Sequence, residues 1–129
     1  MERDTMSHAL IIEDNMIVGQ AIQQQLAHAG FRSFDHAWTE TQAIGHAKRR
    51  TPDLVVIGDG IEQGSVIDTV RAIGGREDIP VLLATTERHR MDVSLPSDIT
   101  IFGPCRIDEI TQMVADGLSA ASRANLALT

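Results

Sequence analysis

A chain of 129 residues suits one domain large enough to build a single core without disulfide or metal staples. With 43% hydrophobic and 22% charged residues, its balance is that of a folded protein rather than a disordered one. The formal net charge of −7 leaves no basic patch on which nucleic acid or an anionic membrane would settle. The lone Cys105 excludes an internal disulfide, and three Phe, one Trp and no Tyr make base- or sugar-stacking platforms an unsuitable reading. No apolar run approaches the roughly 18 residues of a membrane span, and "MERDTMSHA" lacks the charged-then-apolar order of a secretory signal, so a cytoplasmic location is expected.

Ala9 to Ile12 is a short apolar run ending in Glu13-Asp14-Asn15, which predicts a buried strand, then a polar loop in which Asp14 or Asn15 caps a helix. From Met16 to Ala29 the apolar positions Ile17, Val18, Ala21, Ile22 and Leu26 recur at helical spacing, and Gly30 follows as a natural stop. Phe31 to Ala37 suits a second strand. Thr39 and Gln42 then stand at capping-box spacing before Ala43, Ile44 and Ala47, and this second helix ends near Arg50 because Pro52 disfavours helical geometry at Thr51.

Leu54 to Ile57 supplies a third strand, and Val66, Ile67, Val70 and Ile73 mark a third helix stopped by Gly74-Gly75. Val81 to Ala84 and Ile99 to Phe102 read as the fourth and fifth strands, followed by a turn at Gly103-Pro104. Ile107, Ile110, Val114, Leu118 and Ala121 form one face of a last helix. Between those strands "TTERHRMDVSLPSD" has poor helical periodicity and a Pro at 96, so a short or irregular fourth helix is expected. No repeat, low-complexity segment or linker divides residues 1–129.

Continuous apolar strands alternating with amphipathic helices imply a doubly wound five-stranded parallel sheet, (βα)5, with helices on both faces. Ligands of such sheets bind at the C-terminal strand ends, which directs attention to Glu13, Asp14, Asp59, Thr85 and the Gly103-Pro104 turn.

Four stretches, in this order and at these distances, resemble the receiver domain of bacterial two-component response regulators, a chemotaxis-regulator-like, flavodoxin-like fold. They are "ALIIEDN", "PDLVVIGD", "IPVLLATT" and "FGPCRIDEI". The resemblance covers nearly the whole chain. It implies two acids after the first strand, a phosphoacceptor Asp ending the third, a Thr or Ser ending the fourth, and a Lys before a Pro after the fifth. Phosphoryl transfer needs an in-line carboxylate nucleophile and a divalent metal, Mg2+, held by hard oxygen ligands, while hydroxyl and ammonium donors hold the product.

On these residues Glu13 and Asp14 match the acidic pair and Thr85 the hydroxyl, making Glu13, Asp14 and Asp59 the candidate metal ligands. Two positions depart from the pattern. Gly58 stands where the phosphoacceptor belongs and Asp59 one residue beyond; side chains alternate along a strand, so only a bulge would bring Asp59 back to the crevice. Gly103 stands at the Lys position, Thr100 at a position often aromatic in the family, and the 17 residues between Thr85 and Gly103 are fewer than is usual. The resemblance also allows a cis bond at Gly103-Pro104.

Bland readings stand beside these. Thr85 suits a strand-end hydroxyl satisfied by local backbone, and Asp59 a turn residue between glycines. His8, His28, His36, His46 and His89 lack paired ligand spacing and read as surface histidines, and Cys105 reads as a small packed hydrophobe. "GDGIEQGS" lacks the Lys of a phosphate-binding loop, and "SAASRANLALT" suits partner packing or a frayed end.

Three functions follow from this reading. The first is a stand-alone receiver-like adaptor, not an enzyme, with a degraded phosphorylation site, meeting a sensor kinase, phosphotransfer protein or output protein, and able to form a homodimer. By analogy its contacts involve the fourth helix, fifth strand and last helix, so truncation after Met113 should abolish them. The second is a receiver phosphorylated on Asp59 with Mg2+, and the third a small flavodoxin-like binding protein or enzyme with an apolar pocket at the strand ends.

Overall fold

The computed structural model describes residues 7–58, 66–74, 79–85 and 102–116. Five strands, β1 (His8–Ile12), β2 (Ser33–Ala37), β3 (Leu54–Gly58), β4 (Val81–Thr85) and β5 (Phe102–Arg106), form one parallel sheet in the order β2-β1-β3-β4-β5. The helices are α1 (Met16–His28), α2 (Glu40–Arg49), α3 (Val66–Gly74) and α4 (Ile110–Ala115), the last entered through a 3-10 turn at Ile107–Glu109. The doubly wound sheet expected from the sequence is therefore present. The expected fourth helix falls in the stretch 86–101, outside the described residues.

Alternation along the strands creates two cores. Leu10, Ile12, Val55, Ile57, Val81 and Leu83 face α2 and α3, where they meet Ala43, Val70 and Ile73. Ala9, Ile11, Leu54, Val56, Leu82 and Ala84 face α1 and α4, where they meet Ile22, Leu26 and Ile110, with Cys105 buried among them. Each fully buried aliphatic side chain contributes about 1.5–3 kcal/mol, which explains why strands five residues long suffice.

Side chains set the helix starts. Asn15 Oδ1 accepts from the Ile17 and Val18 amides at 2.9 and 3.1 Å, so Asn15 rather than Asp14 is the cap. Thr39 caps α2 through the Gln42 amide at 3.2 Å, and Gln42 Oε1 in turn accepts from the Trp38 amide at 2.7 Å. Near the far end of α1, Thr111 donates from its hydroxyl to the Gln25 carbonyl at 2.9 Å and from its amide to Gln25 Oε1 at 3.1 Å, fastening the last helix to the first.

The fifth strand differs from its expected span of Ile99 to Phe102. It runs from Phe102 to Arg106, and Gly103-Pro104 lies inside it instead of forming a turn; positions 99–101 are outside the described residues. An edge strand tolerates Pro because its missing N–H need not pair, and the β4 register slips between Leu82 and Ala84 to accommodate the irregularity. The Gly103-Pro104 bond is cis, as the resemblance allows.

Candidate functional site

The order β2-β1-β3 reverses direction between β1 and β3, so a crevice opens beyond the carboxyl ends of these two strands. Glu13 leaves β1 there, its amide donating to the Ala37 carbonyl at 2.9 Å, and Gly58 ends β3 beside it. Glu13 is buried to 8% exposure. Its Oε2 accepts from the Asn15 amide at 3.1 Å. A Cβ built on Gly58 would overlap Glu13 Oε1 and stand 2.9 Å from Cδ. The acid of the first strand thus fills the volume that a side chain at the end of the third would need.

Asp14, next along, is exposed. Thr85 closes β4 with 1% exposure and pairs in register with Arg106 on β5. Asp59, the candidate acceptor and third candidate metal ligand, lies outside the described residues, as do Thr100 and His89. Among the described residues no group of three His, Cys, Asp or Glu side chains is placed to hold a metal ion. Glu13, turned toward Asn15 and Gly58, and exposed Asp14 do not by themselves form a divalent-cation cage.

Gly103 stands where the resemblance expects a Lys. Its φ of +101° lies in the left-handed region, and a Cβ there would come 2.7 Å from the Leu83 carbonyl oxygen. The cation on the same strand, Arg106, is half-exposed and donates to Asp108 Oδ2 at 2.7 Å.

Two features escaped the sequence reading. His8 is not a surface residue: at 2% exposure it joins Ser33 Oγ through Nδ1 at 2.8 Å and Asp35 Oδ2 through Nε2 at 2.9 Å, while its amide donates to Asp53 Oδ2 at 2.8 Å. The signal was its spacing, since His8, Leu10 and Ile12 share one face of β1.

The second feature is a groove of about 240 Å³ at the α1 end of the crevice, lined by Glu13, Asn15, Met16, Gly19, Gln20, Gln23, His36 and Trp38. His36 Nε2 meets Gln23 Oε1 at 2.6 Å, and its ring covers Gly19, where a Cβ would stand 3.5 Å from Nδ1. Partial burial lowers the pKa of this imidazole below the ordinary 6.5; the charge of Asp35 opposes the shift and His46 adds to it. No helix among the described residues is long and apolar enough to cross a membrane.

No protein-family model matches the chain. It is 26% identical over 87 residues to the KDP operon transcriptional regulatory protein KdpE of Escherichia coli strain K12, across 67% of this chain and 38% of that protein. The chain therefore spans well under half the length of this curated relative. The PhyR stress response regulator, 28% identical, superposes with a TM-score of 0.67 over 86% of this chain and 44% of that one. The chemotaxis response regulator CheY4 of Vibrio cholerae gives 0.69 over 86% and 98% at 17% identity, a likeness of fold. With the strand order, the switch point between β1 and β3 and the acid leaving β1, these likenesses give the chain the fold of response-regulator receiver domains, which it resembles in sequence and structure.

Proposed function

We propose that this receiver works as a signalling adaptor through protein contact and does not accept phosphate at the end of its third strand. The observation that carries this reading is the pairing of Glu13 with Gly58. The nucleophile position has no carboxylate, and the neighbouring acid occupies its space. Gly103 supports the same conclusion, since the fifth strand supplies no ammonium at the position that would hold a phosphoryl oxygen, and its backbone geometry favours glycine. In-line phosphoryl transfer relies on positioned charge, and both charges are missing from these two places.

The partner on this reading is a sensor kinase, a phosphotransfer protein or an output protein, met in the cytoplasm. The module is not an enzyme, and Mg2+ has no step to perform at Gly58. The test is intact mass after incubation with acetyl phosphate and magnesium, on the wild type and Asp59→Asn in parallel. The expected result is no phosphoryl adduct on either folded protein. An adduct on the wild type that disappears in Asp59→Asn would overturn the reading in favour of a displaced acceptor.

A further inference from the structure

Three large apolar side chains are conspicuously exposed among the described residues: Met16 at 60%, Ile17 at 78% and Trp38 at 46%. All three sit at the same end of the molecule. Met16 and Ile17 open α1, Trp38 follows β2, and the two segments are joined by the hydrogen bond from the Glu13 amide to the Ala37 carbonyl. Met16 and Trp38 are also walls of the groove, whose lining includes the buried carboxylate of Glu13 and the amides of Gln20 and Gln23. Nothing in the core explains apolar exposure on this scale, which burial elsewhere would stabilise.

Charge along the helices is segregated. Acidic Asp14 precedes α1 and Glu40 opens α2 at this end, whereas the basic residues of the same helices gather in their last turns, His28 on α1 and His46, Lys48 and Arg49 on α2. Among the described residues no Lys or Arg lines the groove. An apolar rim around an acid-bearing cleft has a definite complement. A lysine or arginine lays its alkyl stem along Met16 and the indole of Trp38, takes up cation–π attraction there, and brings its charged head toward Glu13 and the glutamine oxygens.

We infer that the groove between the start of α1 and the end of β2 is a docking site for a partner-protein segment that inserts a basic side chain, with apolar neighbours covering Met16 and Ile17. The inference rests on the adaptor reading above and locates one contact surface for it.

Trp38 is the chain's single Trp, so its fluorescence reports the groove directly. The probes are three tryptophan-free 14-residue peptides: an amphipathic helix of Leu and Lys, the same peptide with every Leu replaced by Ser, and the same peptide with every Lys replaced by Glu. The Leu/Lys peptide should shift Trp38 emission saturably. The Ser/Lys peptide, of equal charge, should bind at least tenfold more weakly, and the Glu peptide should give no shift. Met16→Ser and Ile17→Ser, both at exposed positions that leave the core intact, should each weaken the Leu/Lys peptide about fivefold. Glu13→Gln should do the same, whereas Asp116→Asn, beyond the Thr111–Gln25 contact, should leave it unchanged.

Equal binding of the Leu/Lys and Ser/Lys peptides would reduce the effect to diffuse attraction to an acidic protein and overturn the inference. So would unchanged affinity in both Met16→Ser and Ile17→Ser. Failure here is separable from failure of the adaptor reading, which is decided by the acetyl phosphate adduct.

Discussion

Glu13 and Gly58 are complementary shapes: the carboxylate at the end of β1 occupies the place of the side chain that β3 lacks. Gly58→Ala should therefore force the Glu13 carboxylate aside from its buried place and its contact with the Asn15 amide, at a cost of about 1 kcal/mol, although Gly58 is not a left-handed residue. In Glu13→Ala the added methyl should be accommodated, so the double variant should show a favourable coupling of at least about 0.5 kcal/mol in a urea-denaturation mutant cycle. Strict additivity of the two single effects would mean that the side chains do not share this space.

Gly103 and Gly30 offer a controlled comparison, since their φ angles are +101° and +111° but only Gly103 has a close neighbour. Gly30→Ala should cost about 1–2 kcal/mol, the ordinary penalty for a left-handed L-residue. Gly103→Ala should cost at least about 1 kcal/mol more, because its Cβ would also press on the Leu83 carbonyl. Gly103→Lys should be destabilised likewise, and should not confer an acetyl phosphate adduct. Equal urea midpoints for the two Ala variants would refute the close-approach argument.

His36 makes stability depend on pH in a defined direction. Its folded pKa lies below 6.5, so between the folded value and 6.5 the unfolded chain binds more protons. The contribution is present above about pH 6.5 and is lost as the pH falls through that value toward the folded pKa. NMR titration of the His36 ring should place its midpoint below 6.5. His36→Asn should also flatten the fall in urea midpoint between pH 7.5 and 5.5. A ring titrating at or above 6.5 would reverse the sign and sink the argument.

The His8 network predicts an asymmetry between its members. Asp35→Ala removes the partner of a buried ring nitrogen and should cost about 1–3 kcal/mol. His8→Leu removes the buried polar group itself and frees Ser33 and Asp35, both part-exposed, to meet water; its cost should be below about 1 kcal/mol. Chemical denaturation of the two variants side by side checks the order, and a costlier His8→Leu would contradict it.

The fold was legible because its information is local. Unbroken runs such as Leu54 to Ile57 mark strands buried on both faces, and Asn15, Thr39 and Gly30 mark helix ends by their own hydrogen bonding or backbone freedom. The turn expected at Gly103-Pro104 is strand instead, because a Gly-Pro pair signals a turn in isolation and only the edge position of β5 makes it acceptable within a strand.

Candidate site residues could be named at Glu13, Asp14 and Thr85, but their arrangement could not. That Glu13 is buried against Gly58 depends on residues 45 positions apart, and His8 meets Ser33 and Asp35 across separations of 25 and 27. Trp38 reads as an isolated aromatic until the sheet brings β2 beside the opening of α1.

The outer strands of the sheet have a consequence for self-association. On one side β2 carries Asp35 and His36 in its middle, and on the other β5 carries a proline with no amide hydrogen to offer a neighbour. Both are poor templates for another chain's backbone, so addition of a sixth strand is discouraged at either margin. Two copies that meet would do so through helices and loops, leaving each five-stranded sheet closed to extension.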